Sequence, residues 1–409
     1  MNQQRLLERF LRYVKVHTTA DDDATTYPSS SGQWELGRLL VEELSALGLD
    51  DVHQDEHGLV WATVPGNVTH EVPTIALNAH LDTSPETTGK SVNPQVVADY
   101  QGGDIVLPAD QTKVIRVAEN LELDQLRGCT LITTDGTTLL GADDKAGIAI
   151  IVESAAYLVE HPEIKHGPIR LLFTCDEEIG RGVDHVDFAK LGAAAAYTLD
   201  GGGANDIDVE TFSADRALVT FYGINIHPSI AKDRMVNAIR AAGEFISRLP
   251  REMSPERTAG RDGFLHPYQI EGGVAEVQLQ IILRDFETEA LTKQADQLRE
   301  IAHEAEASVT GARVVVDIQK HYRNMADGLP REPRAVDFAK QAHERLGRTP
   351  RLSIIRGGTD GSQLTERGLP TPNLSSGQHN PHSPLEWACL EEMSQACEIV
   401  VQIAQIWAE

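Results

Sequence analysis

Apolar runs of strand length alternate with stretches of helical spacing from the start of this chain, and several of the runs end directly on ionisable residues. Ile75–Ala79 leads into His80, Leu81 and Asp82, and Ile169–Thr174 leads into Cys175, Asp176, Glu177 and Glu178. Ala193–Leu199 leads into Asp200 and then Gly201, Gly202 and Gly203. A run near Thr371–Leu374 precedes a loop holding His379 and His382, and Leu352–Ile355 is a further short apolar run. Helical spacing marks Leu6–Val14 and Trp34–Leu47, the second stopped by Gly48, and a long closing helix is expected over Leu385–Ala408. Asp143–Val159 opens on carboxylates, which favour the positive end of a helix, and continues through Ala, Ile and Val. Strands and helices in alternation predict an α/β fold.

Between about Ser213 and Gln319 the rhythm changes. Leu218–Ile226 reads as a strand, Val236–Leu249 as a helix, Phe264–Ile270 and the alternating Val274–Phe286 as strands, Glu287–Ser308 as a helix and Arg313–Ile318 as a last strand. The order β-α-β-β-α-β is a ferredoxin-like α+β plan. Residues 213–320 are therefore expected to be a domain inserted into an α/β domain made of residues 1–212 and 321–409.

Charge narrows the partners. The 409 residues carry 62 acidic and 36 basic side chains, a net charge of −26, which disfavours a nucleic-acid backbone or an anionic membrane surface. No apolar run reaches the length of a membrane span, and Met1–Ala20 lacks the apolar core of a secretion signal. Cys129, Cys175, Cys389 and Cys397 are scattered without a paired motif, as expected of reduced thiols in a cytoplasmic protein.

Taken singly, the ionisable positions are ordinary: acids cap helices, Asp before glycines makes turns, and a lone surface histidine is common. Their joint placement after strands is what points to a site, because ligands of an open parallel sheet bind outside the carboxyl ends of its strands. Several carboxylates in one crevice repel each other unless cations or shared protons relieve the charge. Imidazole and carboxylate donors without a required thiolate suit zinc with an open position for water. One of two adjacent glutamates can then bind metal while the other moves a proton, and an Asp two residues from a ligand His can fix its tautomer.

The segments Ala79–Pro85, Gly141–Gly147, Asp176–Gly180 and Tyr197–Gly202, together with Gly89–Pro94 and Gly102–Ile105, resemble a di-zinc metallopeptidase family. That family includes a tripeptide aminopeptidase, carboxypeptidase G, aminoacylase and succinyl-diaminopimelate desuccinylase, and the resemblance to the tripeptide aminopeptidase branch spans nearly the whole chain. It implies a mixed, mostly parallel sheet with helices on both faces, carrying the site, plus the inserted ferredoxin-like domain. It implies two Zn2+ per subunit, with Mn2+ or Co2+ as substitutes. His80 and Asp200 would hold one ion, Glu178 and His382 the other, and Asp143 would bridge them. His382 is preferred to His379 because Glu386 follows it by four residues, as in the family. Glu177 would be the general base and acid, and Asp82 the partner that orients His80. His227 would help an oxyanion, and Arg284 and Arg356 would grip a peptide carboxylate.

The expected activity is removal of the N-terminal residue from a tripeptide by activated water. The long stretch between Asp82 and Asp143 is able to wall one end of the cleft. The alternatives are a dipeptidase, carboxypeptidase or N-acyl amino-acid deacylase at the same site, a non-catalytic metal-binding homologue, or a cysteine hydrolase using Cys175. A homodimer through the inserted domain is a further expectation.

Overall fold

Four strands lie side by side and parallel at the centre of a large mixed sheet: Ile169–Thr174, Ile75–His80, Ala195–Gly202 and Asn373–His379, in that order. Antiparallel strands extend both sides, Val60–Val64 and Asp50–Gln54 beyond the first, and Trp387–Cys389, Leu131–Thr133 and Gln95–Val97 beyond the last. The computed structural model describes residues 1–409, and they form two compact units. The first comprises Met1–Val209, Gly328–Ser353 and Thr359–Glu409, and the second Glu210–Asp327 with Ile354–Gly358. No helix is long and apolar enough to cross a membrane.

The central strands are fully buried where their residues are Ile, Leu, Val, Ala and Phe, as strands covered on both sides must be. The helix Ala142–Glu160 packs against Ile75–His80 and Ala195–Gly202, and its length is buried almost throughout. Gly147 permits that approach, because a Cβ there would stand 2.4 Å from both the Leu199 carbonyl oxygen and Asp144 Oδ1. Gly147→Ala is therefore expected to lower stability by about 1–3 kcal/mol through overpacking, read as an earlier midpoint in urea unfolding.

Two elements differ from the sequence expectation. The closing helix begins at Leu390 and ends at Ile406; before it, Trp387–Cys389 is a strand paired with both Asn373–His379 and Leu131–Thr133. Its residues are apolar because they are buried in a sheet, which helical spacing alone does not distinguish. The helix expected from Asp143 has non-helical backbone at Asp143 (φ −80°, ψ 102°) and Asp144 (φ −119°, ψ 34°), so regular helix starts at Lys145.

Residues between Tyr100 and Leu131 gather a small core of their own from Tyr100, Leu107, Ile115, Leu123, Leu126 and Leu131, closed by Trp387 and Cys389. In the second unit, four antiparallel strands run in the order Phe264–Gly272, Glu276–Asp285, Ser213–Tyr222, Arg313–Tyr322. The helices Ala238–Arg248 and Thr288–Ser308 supply Ala241, Phe245, Leu291 and Leu298 to its separate core.

Candidate metal centre

Because the four central strands are parallel neighbours, their carboxyl ends share one edge, with adjacent strands about 4.8 Å apart. Each end delivers one part of the cluster. His80 is the last residue of its strand, Glu177 and Glu178 follow Thr174 by a short turn, and Asp200 lies near the end of Ala195–Gly202. His379 closes its strand and His382 comes three residues later. Asp143 enters from the start of the underlying helix.

Two groups of three donors result, His80 with Asp143 and Asp200, and Asp143 with Glu178 and His382. His80 Nε2 lies 2.9 Å from Asp143 Oδ1 and 4.0 Å from Asp200 Oδ1. His382 Nε2 lies 3.3 Å from Asp143 Oδ2 and 2.9 Å from Glu178 Oε2. Asp143 thus faces a histidine with each oxygen. Glu177 Oε2 stands 4.0 Å from His80 Nε2, outside both groups.

Surrounding residues set these directions. Asp82 Oδ1 lies 3.3 Å from His80 Nδ1, and the same carboxylate accepts the Glu177 and Glu178 backbone N–H groups at 3.1 and 3.0 Å. Asp176, in the left-handed region at φ 61°, makes the sharp turn that presents both glutamates; its carboxylate accepts from Ser29 N at 2.7 Å and Gln33 Nε2 at 2.6 Å. His382 is also left-handed, at φ 61°, a conformation that non-glycine residues hold only when their surroundings impose it. Here Thr87 donates to its carbonyl oxygen at 2.6 Å and Glu86 Oε2 lies 3.3 Å from its Nδ1. Gln378 Nε2 donates to Asp200 Oδ1 at 3.1 Å.

Glu386 organises the turn that carries Asp143. Its buried carboxylate accepts the N–H groups of Leu140 (2.7 Å), Gly141 (2.8 Å) and Asp143 (3.1 Å). Asp144, turned away from the cluster, accepts the His80 N–H at 3.2 Å and that of Gly147 at 3.2 Å. The sequence marks Glu386 only as a spacing feature, offers Asp144 only as a neighbour of the chosen bridge Asp143, and carries no signal for Gln378 or Glu86 as positioning groups. A carboxylate that serves three backbone donors has no periodic signature. Glu386→Gln keeps the shape but weakens acceptance, and it is expected to reduce metal affinity about 10–100-fold, the usual scale for a group that orients a ligand, as measured by competition with a chelating dye.

Crowding of acids dominates the electrostatics. Burial, then the Asp143 charge, pushes the Glu178 carboxyl up to about 7. Burial likewise raises Asp200, with Asp143 adding to it, and raises Glu177, with Asp200 and Asp360 adding to it. Asp143 moves the other way: burial opposes ionisation, but hydrogen bonds to His382 and His80 outweigh it and hold the carboxyl low. Burial opposes the charged form of His382, yet Asp143 and Glu178 carry it up to about 12. Glu178 Oε1 is buried with no hydrogen-bond partner. Four acids and two imidazoles with an orphaned carboxylate oxygen are what a pair of divalent cations would satisfy, and the donor set of nitrogen and oxygen suits zinc.

His379 is placed elsewhere. Its Nε2 lies 2.7 Å from Glu392 Oε2, its Nδ1 3.4 Å from Glu122 Oε1, and its ring stacks on Trp387 with centroids 3.7 Å apart. Cys175 is fully buried, and burial followed by Asp82 and Asp176 raises its thiol, the opposite of an activated nucleophile. The remaining candidates belong to the second unit. His227 is exposed and its Nδ1 lies 2.7 Å from Ser229 Oγ. Arg356 donates to the Gly260 and Asp262 carbonyls at 2.8 and 2.9 Å and to Thr258 Oγ1 at 2.9 Å, so its fork is engaged in holding that loop. Arg284 donates to the Arg356 carbonyl at 3.4 Å, lies over the Tyr322 ring, and keeps a buried Nε without a partner.

The model of peptidase family M20/M25/M40 matches residues 134–406. Proteins named peptidase T from Geobacillus kaustophilus and Shouchella clausii are each 47% identical over 407 residues, covering 100% of this chain and 99% of the relative. Among solved structures, the aminopeptidase PepT of Bacillus cereus superposes with a TM-score of 0.76 at 26% identity, covering 100% of both chains. A tripeptidase of Staphylococcus aureus superposes with a TM-score of 0.78 at 26% identity, covering 100% of this chain and 99% of the other. With the fold, the full-length identity and the family match in agreement, the chain belongs to peptidase family M20/M25/M40 and is a metallopeptidase.

Proposed function

We propose that this chain is an aminopeptidase that releases the N-terminal residue of tripeptides, with His80 and Asp200 holding one zinc ion, Glu178 and His382 a second, and Asp143 bridging them. The observation that carries the reading is the pair of three-donor groups that share Asp143 while leaving Glu177 outside both. The full-length relatives named peptidase T support the substrate class. Two divalent cations held by these residues would supply Lewis acidity, polarising the scissile carbonyl and making water a better nucleophile.

The chain's own residues do the rest. Glu177 takes a proton from the attacking water and returns it to the departing amine; its Oε2 stands 4.0 Å from His80 Nε2, beside the cluster and outside both three-donor groups. Asp82 serves two ends at once, facing His80 Nδ1 while gripping the backbone of Glu177 and Glu178. It thereby keeps base and ligand in register. For the substrate, Arg284 is the better-placed of the two arginines to take a carboxylate, since its Nε lacks a partner whereas the Arg356 fork is engaged. His227 is proposed to donate to the developing oxyanion.

The test combines metal analysis with hydrolysis of a tripeptide, its N-acetylated form, and free dipeptides and tetrapeptides. The reading expects cleavage of the free tripeptide first, with release of its N-terminal residue. Preferred cleavage of the acetylated peptide would replace it with a deacylase. Dialysis against a chelator is expected to abolish activity, and added zinc, manganese or cobalt to restore it. Activity that survives complete removal of metal would overturn the assignment.

A further inference from the structure

Away from the cluster of histidines and carboxylates, a second set of donors converges where the small core of residues 100–131 meets the last strand. Cys129, Cys389 and Glu391 each offer a ligand atom, and the three atoms lie within 4.8 Å of one another. Backbone pairing fixes them. Cys389 sits opposite Leu131, and the Leu390 N–H donates to the Thr130 carbonyl at 3.0 Å, so Cys129 and Glu391 flank the end of one antiparallel pair. The Thr130 N–H in turn donates to Glu391 Oε2 at 2.8 Å and holds that carboxylate in place. Cys389 Sγ stands 3.6 Å from Glu391 Oε2.

That separation has a chemical meaning. With metal–sulfur bonds near 2.3 Å and metal–oxygen bonds near 2.1 Å, the sulfur–oxygen edge of a tetrahedral zinc site is about 3.6 Å. A disulfide, by contrast, requires the two sulfurs to close to about 2.05 Å. Two soft sulfurs and one carboxylate are a donor set for thiophilic d10 ions rather than for magnesium or calcium.

We propose that Cys129, Cys389 and Glu391 form a further cation site, which takes one thiophilic divalent ion such as zinc or cadmium with water in its fourth position. Burial, with Glu391 and Glu392 beside it, keeps the Cys129 thiol protonated; burial and Glu392 do the same for Cys389. Binding therefore exchanges one divalent ion for two protons, one from each thiol. The site ties the strand Leu131–Thr133 to the start of the helix Leu390–Ile406, beside the loop that carries His382 and Glu386. Cys129 is only half-buried, which leaves an entry path.

A sulfur-specific readout separates this site from the catalytic cluster, whose donors are all nitrogen and oxygen. The reduced full-length protein is titrated with cadmium chloride, and the ultraviolet thiolate-to-cadmium charge-transfer band is followed. The expected result is a saturable band whose final amplitude corresponds to two thiolates on one cadmium ion per chain. Cys129→Ser is expected to lower that band and weaken cadmium binding at least about tenfold, and Glu391→Gln to weaken binding on the same scale while keeping the band. Cys397→Ser, a buried thiol outside the three-donor group whose Sγ donates to the Ile150 carbonyl at 3.7 Å, is the control and should match the parent. Because Cys129 is half-exposed, its variant tests the site even if Cys389→Ser fails to fold. Absence of a thiolate band in the parent, or an unchanged band and affinity in Cys129→Ser, would overturn the proposal.

Discussion

Glu177→Gln is expected to cut tripeptide turnover by at least about a hundredfold, roughly 2.7 kcal/mol of barrier, while metal content stays at that of the parent. The substitution preserves volume and leaves the backbone N–H that Asp82 accepts, so the turn carrying Glu178 is undisturbed. What it removes is the ability to hold a proton between water and the leaving amine. Glu177 is partly buried and its oxygen is 4.0 Å from His80 Nε2, close to the cluster without belonging to either three-donor group. Metal analysis beside steady-state kinetics separates the possibilities. Near-parental turnover would remove Glu177 from the role, and loss of metal in parallel with activity would make it a ligand instead.

The second large effect concerns Asp143. Each of its oxygens faces a different histidine, so removing the side chain takes one donor from both groups and leaves His80 with Asp200, and Glu178 with His382. Two-donor remnants hold divalent ions poorly, and Asp143→Ala is expected to lose both ions or nearly so, with peptide hydrolysis at background. The variant also removes the carboxylate that offsets the two imidazoles, so excess metal is expected to restore only a small fraction of parental activity. Equilibrium dialysis followed by elemental analysis reads the outcome. Two tightly held ions in Asp143→Ala would show that the bridge lies elsewhere.

The sequence made the α/β class and the edge of the sheet legible because both depend on local pattern. A short apolar run followed at once by His80, by Glu177 and Glu178, or by Asp200 is visible without a structure, and parallel neighbours then bring the strand ends together. The His379 and His382 question was different in kind. Both residues lie at the end of the same strand; the resemblance prefers His382 for its spacing to Glu386, and the structure sets His382 beside Asp143 and Glu178 and His379 against Glu122, Glu392 and Trp387. Positioning by Glu386, Gln378 and Asp144 is illegible for a related reason, since each acts on at least one group between 64 and 246 residues away in sequence. Trp387–Cys389 was absorbed into the closing helix because three buried apolar residues carry no period long enough to tell strand from helix.

The carboxylate of Glu386, gripping three amides near residue 140, implies an order of events during synthesis. Closing contacts between such distant stretches of polypeptide carries a loop-entropy cost that must be met before they reward the chain. A nascent polypeptide that has not yet emerged as far as residue 386 lacks this clasp, so the turn carrying Asp143 is fastened only after that later stretch has appeared.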